Sequence, residues 1–114
     1  MKLIEAIRQA DDLRMNTLGE EQKAQWVYEF DGKVAETMGR DVPEDTWPDD
    51  RELLMPAPCD NIYVLYLVAM IDYYNQETAL YTNDMVMFNQ AYSEAKAWLR
   101  RNNMPKPSGN WRMT

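Results

Sequence analysis

The chain has 114 residues, carries 19 acids against 12 bases, and contains no histidine. That absence removes the usual general base, the commonest metal ligand and the imidazole of nucleophilic triads. The single cysteine, Cys59, excludes an internal disulfide and multi-cysteine zinc sites and fits a reducing compartment. At this length one domain is expected, with a modest core but no room for a deep multi-part active site as well. The charged opening Met-Lys-Leu-Ile-Glu does not read as a signal peptide. The longest apolar run, residues 62–71, is far short of a membrane span, so a soluble intracellular chain is expected.

The formal charge of −7 is unevenly spread. Residues 1–94 hold 19 acids and seven bases, a net of −12, whereas residues 95–114 hold five bases and no acid. Between Leu53 and Glu94 there is no Lys or Arg at all. Such acidity argues against a duplex-binding surface, because phosphate contacts need clustered bases.

In chain order, the apolar spacing predicts a first helix over residues 2–13, with Leu3, Ala6, Ile7, Ala10 and Leu13 on one face. Residues 16–19 break it. Gly19 serves as the next N-cap, Glu20 and Glu21 favour the first turn, and Gln22 is placed to reach back. The second helix runs to about residue 38, with Val27, Phe30, Val34 and Met38 buried and Gly39 as its stop. Residues 39–52 hold two prolines and six acids against two bases, which predicts a mobile acidic loop that resists packing. Pro56 and Pro58 then hold the residues before them extended.

A third helix is expected from Pro58 or Cys59, carrying Ile62, Tyr63, Tyr66, Leu67, Met70, Ile71 and Tyr74 around most of its circumference, as a central helix does. Asn75-Gln76 is a short break, with Asn75 as cap of a fourth helix that ends near Asn103. On that helix Tyr81, Met85, Phe88, Tyr92, Ala95 and Leu99 recur at steps of four and three, a seam of large side chains along one side. Its Tyr and Met content suits a surface that meets a partner. Trp26 and Trp98 are expected in the core. The expected architecture is all α: four helices in one domain over residues 1–104, the last two an antiparallel hairpin, and a flexible basic tail over residues 105–114.

Chemical constellations are sparse. Asp49, Asp50 and Glu52 lack the alternating ligands and turn glycine of a calcium loop and read as solvated acids. Cys59 has Asp60 beside it and no base nearby, so it reads as structural. The helically spaced tyrosines lack the interleaved bases of a nucleic-acid stacking platform. Four scattered glycines make no phosphate loop. No cofactor, metal or catalytic residue is expected. Interaction residues are: Arg100 and Arg101 at the end of the fourth helix, Lys106, Trp111 and Arg112 in the tail, and Tyr81 and Met85 on the seam. An aromatic flanked by bases in a polar tail reads as a docking peptide.

The ordered set Leu53-Leu54-x-Pro56-x-Pro58-x-Asp60, then Tyr63, Tyr66, Ala69, Ile71-Asp72 and Asn75, then Tyr81, Asn83, Phe88-Asn89 and Ala91-Tyr92 resembles small proteins of phages and prophages. These are often described as head–tail connectors or adaptors. Cys59 stands where the family pattern has a larger, often aromatic residue, and Gln76 where glycine commonly follows asparagine. The resemblance implies an all-helical subunit in a ring beneath the portal, in the virion neck, assembled in the host bacterial cytoplasm and without catalysis. Its implied partners are the portal protein, copies of itself and other neck or tail proteins, with DNA only as the passing genome. An acidic lumen that does not grip phosphate agrees with that. The alternative is a small acidic protein-binding module, such as an inhibitor that mimics DNA charge or an assembly factor.

Overall fold

A computed structural model describes residues 1–102 and contains four helices: α1 (Leu3–Leu13), α2 (Glu20–Met38), α3 (Ile62–Tyr74) and α4 (Thr78–Asn102). The chain is all α; the only strand-like pairing among the described residues is one antiparallel bridge between Lys2 and Glu52. The tail expected over residues 105–114, with Lys106, Trp111 and Arg112, lies outside the described residues.

Helix α3 is the central element, because Ile62, Tyr63, Leu67 and Ile71 are fully buried and Val64 and Val68 nearly so. α1 contributes Leu3, Ala6, Ile7 and Ala10 to the core, and α2 contributes Ala24, Val27, Phe30 and Val34. Ring pairs fix the direction of α4 against α3. Tyr73 meets Tyr81 at 5.2 Å and Tyr66 meets Phe88 at 5.5 Å, so rising numbers on one helix match falling numbers on the other. Phe30 of α2 closes an aromatic cluster by stacking on Tyr66 at 4.8 Å and meeting the edges of Phe88 and Tyr92. Such pairs add to the burial of their area. Trp26 and Trp98 pack at the margin of this core, half-buried.

Several boundaries and faces differ from the sequence expectation. Gly19 caps α2 through its backbone, without a side-chain bond from Gln22. α3 begins at Ile62 rather than at Pro58 or Cys59. Cys59, Ile62 and Tyr63 donate their N–H groups to carbonyls three residues back, so tight turns occupy the space before the helix. Asn75 ends α3 instead of capping α4, and its side-chain amide donates to the Met15 carbonyl at 3.4 Å. Leu13 and Tyr74, expected inside, are 59% and 58% exposed. Each is the last residue of its helix.

Residues 39–52 also differ from a freely mobile acidic loop, because their second half is tied down. Asp50 Oδ1 accepts the Ile4 N–H at 2.9 Å, supplying α1 with the N-terminal cap its own sequence lacks. The Leu3 N–H donates to the Arg51 carbonyl and the Leu53 N–H to the Met1 carbonyl. Trp47 rests against the core, and the Tyr28 hydroxyl pairs with that of Thr46 at 3.1 Å.

Candidate interaction site

The seam on α4 is turned inward. Phe88, Ala95 and Leu99 are buried against the same chain, with Met85 and Tyr92 packed half-buried beside them. Its large side chains therefore complete the subunit core, and of the seam only Tyr81, Met85 and Tyr92 keep partial exposure. Tyr81 lies beside the exposed Tyr73, and Tyr92 carries the Lys96 ammonium 4.7 Å over its ring. Arg100 and Arg101 are exposed in the last turn of α4. They sit about 28 Å from Tyr81 along the helix axis. The structure does not bring the two groups together.

The unpartnered surface lies one stripe over. Leu80, Asp84 and Met87 recur at steps of four and three, and Leu80 and Met87 are 42% and 51% exposed; Val86, 62% exposed, points about 100° around the helix from Met87. Leu13, 59% exposed at the end of α1, adjoins this stripe through the groove it lines with Met87, and Met15 follows two residues on, 93% exposed. Where the pieces meet, Leu13, Arg14, Leu65, Val68, Asp84 and Met87 line a groove of about 190 Å³.

Charge in the groove follows from the composition. The stretch from Leu53 to Glu94 has no base, so two acids on its helices, Asp72 and Asp84, depend on a cation from elsewhere. Arg14, just beyond α1, supplies it: its Nε donates to Asp72 Oδ2 at 2.9 Å and Oδ1 at 3.1 Å, and its Nη2 donates to Asp84 Oδ1 at 3.4 Å. Asp72 and Asp84 are both buried, and Arg14 is partly exposed. Asp84 Oδ2 is buried and has no hydrogen-bond partner among the described residues. Burial pushes the Asp84 carboxyl up to about 6, and the neighbouring Asp72 adds to the shift by accepting a hydrogen bond from the protonated form. Two acids and one base leave a net charge of −1 in this cluster, a costly arrangement away from water.

A second buried polar cluster is structural. Asp31, fully buried on α2, accepts from the Tyr63 hydroxyl at 2.6 Å, the Leu54 N–H at 3.2 Å and Arg51 Nη1 at 2.7 Å. Burial and the Asp31 charge raise the Tyr63 hydroxyl far above its ordinary range. Cys59 is half-buried, and loss of water together with Asp60 raises its thiol, which fits a structural role.

Sequence reasoning passed over Asp31, Lys23, Asp84 and Arg14. A signal existed for two of them: Lys23 and Asp31 lie four residues either side of Val27, on the apolar stripe of α2. A charge on such a stripe is buried with a partner, and Lys23 does pair with Asp11 at 2.8 Å. Among the described residues, no group of three or more His, Cys, Asp or Glu side chains is placed to hold a metal ion, and no helix is long and apolar enough to cross a membrane. No family model matches the chain, and no curated protein and no solved structure matches it.

Proposed function

We propose that this chain is a structural subunit similar to a phage head–tail connector: it forms a ring with copies of itself beneath the portal, leaves a passage for the genome and provides the base for tail attachment. It acts without catalysis, in the virion neck after assembly in the host bacterial cytoplasm. The observation that carries this reading is the exposed apolar stripe of Leu80 and Met87 on α4, with Leu13 across the groove from it, on an otherwise acidic body. Contiguous exposed apolar side chains suit a protein interface, and an assembly subunit needs one outside its own core. The ordered set of residues shared with connector-like proteins supports the same reading. Members of that set such as Tyr63, Phe88 and Tyr92 serve the packing of the subunit.

The test is mass measurement of the full chain with and without purified portal protein of the same genome. A ring-sized complex is expected with the portal, and Leu80→Glu should abolish it while leaving helix content and melting temperature unchanged. A chain that never joins the portal overturns the proposal. The second reading, an acidic module that occupies a DNA-binding protein, is favoured by the net charge of −12 over residues 1–94. It predicts competition with duplex DNA for such a protein and indifference to Leu80→Glu.

A further inference from the structure

We infer that the groove between the end of α1 and the Leu80–Met87 stripe of α4 receives the basic C-terminal segment, residues 103–114, of a second copy of this chain, with a cationic side chain of that segment set against the Asp84 carboxylate. This rests on the ring-subunit reading above and names the contact that would join neighbours.

Three observations converge. Asp84 is 7% exposed, lines the groove, and leaves Oδ2 without a donor. A buried acceptor of this kind calls for a hydrogen-bonding partner. Leu13, Leu65, Val68 and Met87 make the walls largely apolar, with Arg14 and Asn83 beside them, so the occupant needs an apolar anchor beside its cation. The chain itself carries such a segment: residues 103–114 contain Lys106, Trp111 and Arg112 and no acid. The cluster of Arg14, Asp72 and Asp84 has a net charge of −1, and one incoming cation balances it.

Reach favours a neighbour's segment over the copy's own. Asp84 lies 18 residues back from the end of α4, about 27 Å along the axis. Lys106 is four residues beyond that end, a span of at most about 14 Å, so it cannot reach its own groove. Arg112, ten residues beyond that end and spanning at most about 35 Å, could do so only by folding back along α4. A groove near one end of α4 and a donor beyond the other make a head-to-tail contact, which closes into a ring when the rotation permits. Protonating Asp84 removes the need for the cation, since the neutral carboxyl donates to Asp72. The charged groups facing it are Asp72 on α3 and Arg14 beyond α1. Docking should therefore weaken as pH falls below about 6.

The experiment uses two full-length variants and sedimentation velocity at high protein concentration and low salt. One is altered in the groove (Asp84→Asn with Met87→Glu), the other in the segment (Lys106→Ala, Trp111→Ala and Arg112→Ala). Wild type is expected to self-associate. Each variant alone should associate at least tenfold more weakly, with unchanged circular dichroism. An equimolar mixture should form a heterodimer, because it contains one intact groove and one intact segment. A wild type that stays monomeric throughout, variants that associate like wild type, or a mixture that forms no heterodimer would each overturn the inference. The last outcome marks docking within one copy. Portal rings that form normally from both variants overturn this contact alone, whereas groove-dependent self-association without portal binding overturns the connector reading alone.

Discussion

The Tyr63 hydroxyl donates to Asp31 Oδ1 at 2.6 Å and accepts the Met55 N–H at 2.7 Å, so one fully buried tyrosine joins α2, α3 and the segment leading into α3. Asp31 also holds Arg51, whose guanidinium lies 4.7 Å over the Tyr28 ring. Removing the carboxylate would strand a largely buried cation and a buried hydroxyl together. Asp31→Ala is expected to cost about 3–5 kcal/mol, because breaking one side of a buried ion pair leaves the other uncompensated. Tyr63→Phe should cost less, about 1–3 kcal/mol, for the two hydrogen bonds it loses. Urea unfolding with unchanged m-values measures both; equal losses in the two variants would show that Arg51 escapes to solvent.

The same network governs access to residues 39–52. Arg40 is exposed, whereas Arg51 is tied to Asp31 and its carbonyl accepts from Leu3. Limited trypsin digestion of the native protein should cut after Arg40 and spare the bond after Arg51, and Asp31→Ala should open the second site. Early cleavage after Arg51 in the wild type would show that the bridge to Lys2 opens readily.

Asp84 sets a pH dependence of stability. Its carboxyl titrates near 6 in the fold, above the ordinary value of 3.8. The folded state thus binds the proton more tightly, and its stability falls as pH rises from about 4 through 6. At pH 7 the whole penalty is present, at most about 3 kcal/mol at 1.36 kcal/mol per pKa unit. Asp84→Asn keeps an acceptor for Arg14 and gains a donor for Asp72, so its melting temperature should exceed that of wild type at pH 7, with the advantage shrinking at pH 5. A variant less stable than wild type at pH 7 would show that the Arg14 contact outweighs the burial of charge.

Gln76 occupies left-handed backbone, with φ 59°. Its N–H donates to the Tyr73 carbonyl and that of Glu77 to the Asp72 carbonyl, the pattern by which Gly39, with φ 69°, ends α2. A side chain in this region is disfavoured, whereas glycine is not. Gln76→Gly should stabilise the fold by about 0.5–1 kcal/mol after the added freedom of the unfolded chain is counted. Thermal unfolding checks the sign.

Phe88 touches Phe30, Tyr66 and Tyr92 and is 6% exposed. Phe88→Ala should cost about 3–5 kcal/mol from lost transfer energy plus the cavity left behind. An unchanged melting temperature would show that the aromatic cluster closes over the gap.

Local chemistry was legible in the sequence. The all-α class, the stop at Gly39, the cap at Gly19, and the inward faces of Leu3, Ala6 and Ile7 and of Val27, Phe30 and Val34 follow from periodicity and backbone preference, which act over a few residues. So did the placement of Phe88, Ala95 and Leu99 on one side of α4, though not which neighbour that side meets. Only the tertiary structure decided that their partner is α3 of the same chain, because helical spacing reports a face and not its occupant. Likewise it made Asp50 the cap of α1 and gave Asp31 a partner 32 residues away in Tyr63. It also brought Arg14 to Asp72 and Asp84 across 58 and 70 residues. A charge on an apolar stripe shows that it will be buried, but the partner that satisfies it over such separations leaves no periodic trace. The chain must close on itself before the acid and its cation share a site.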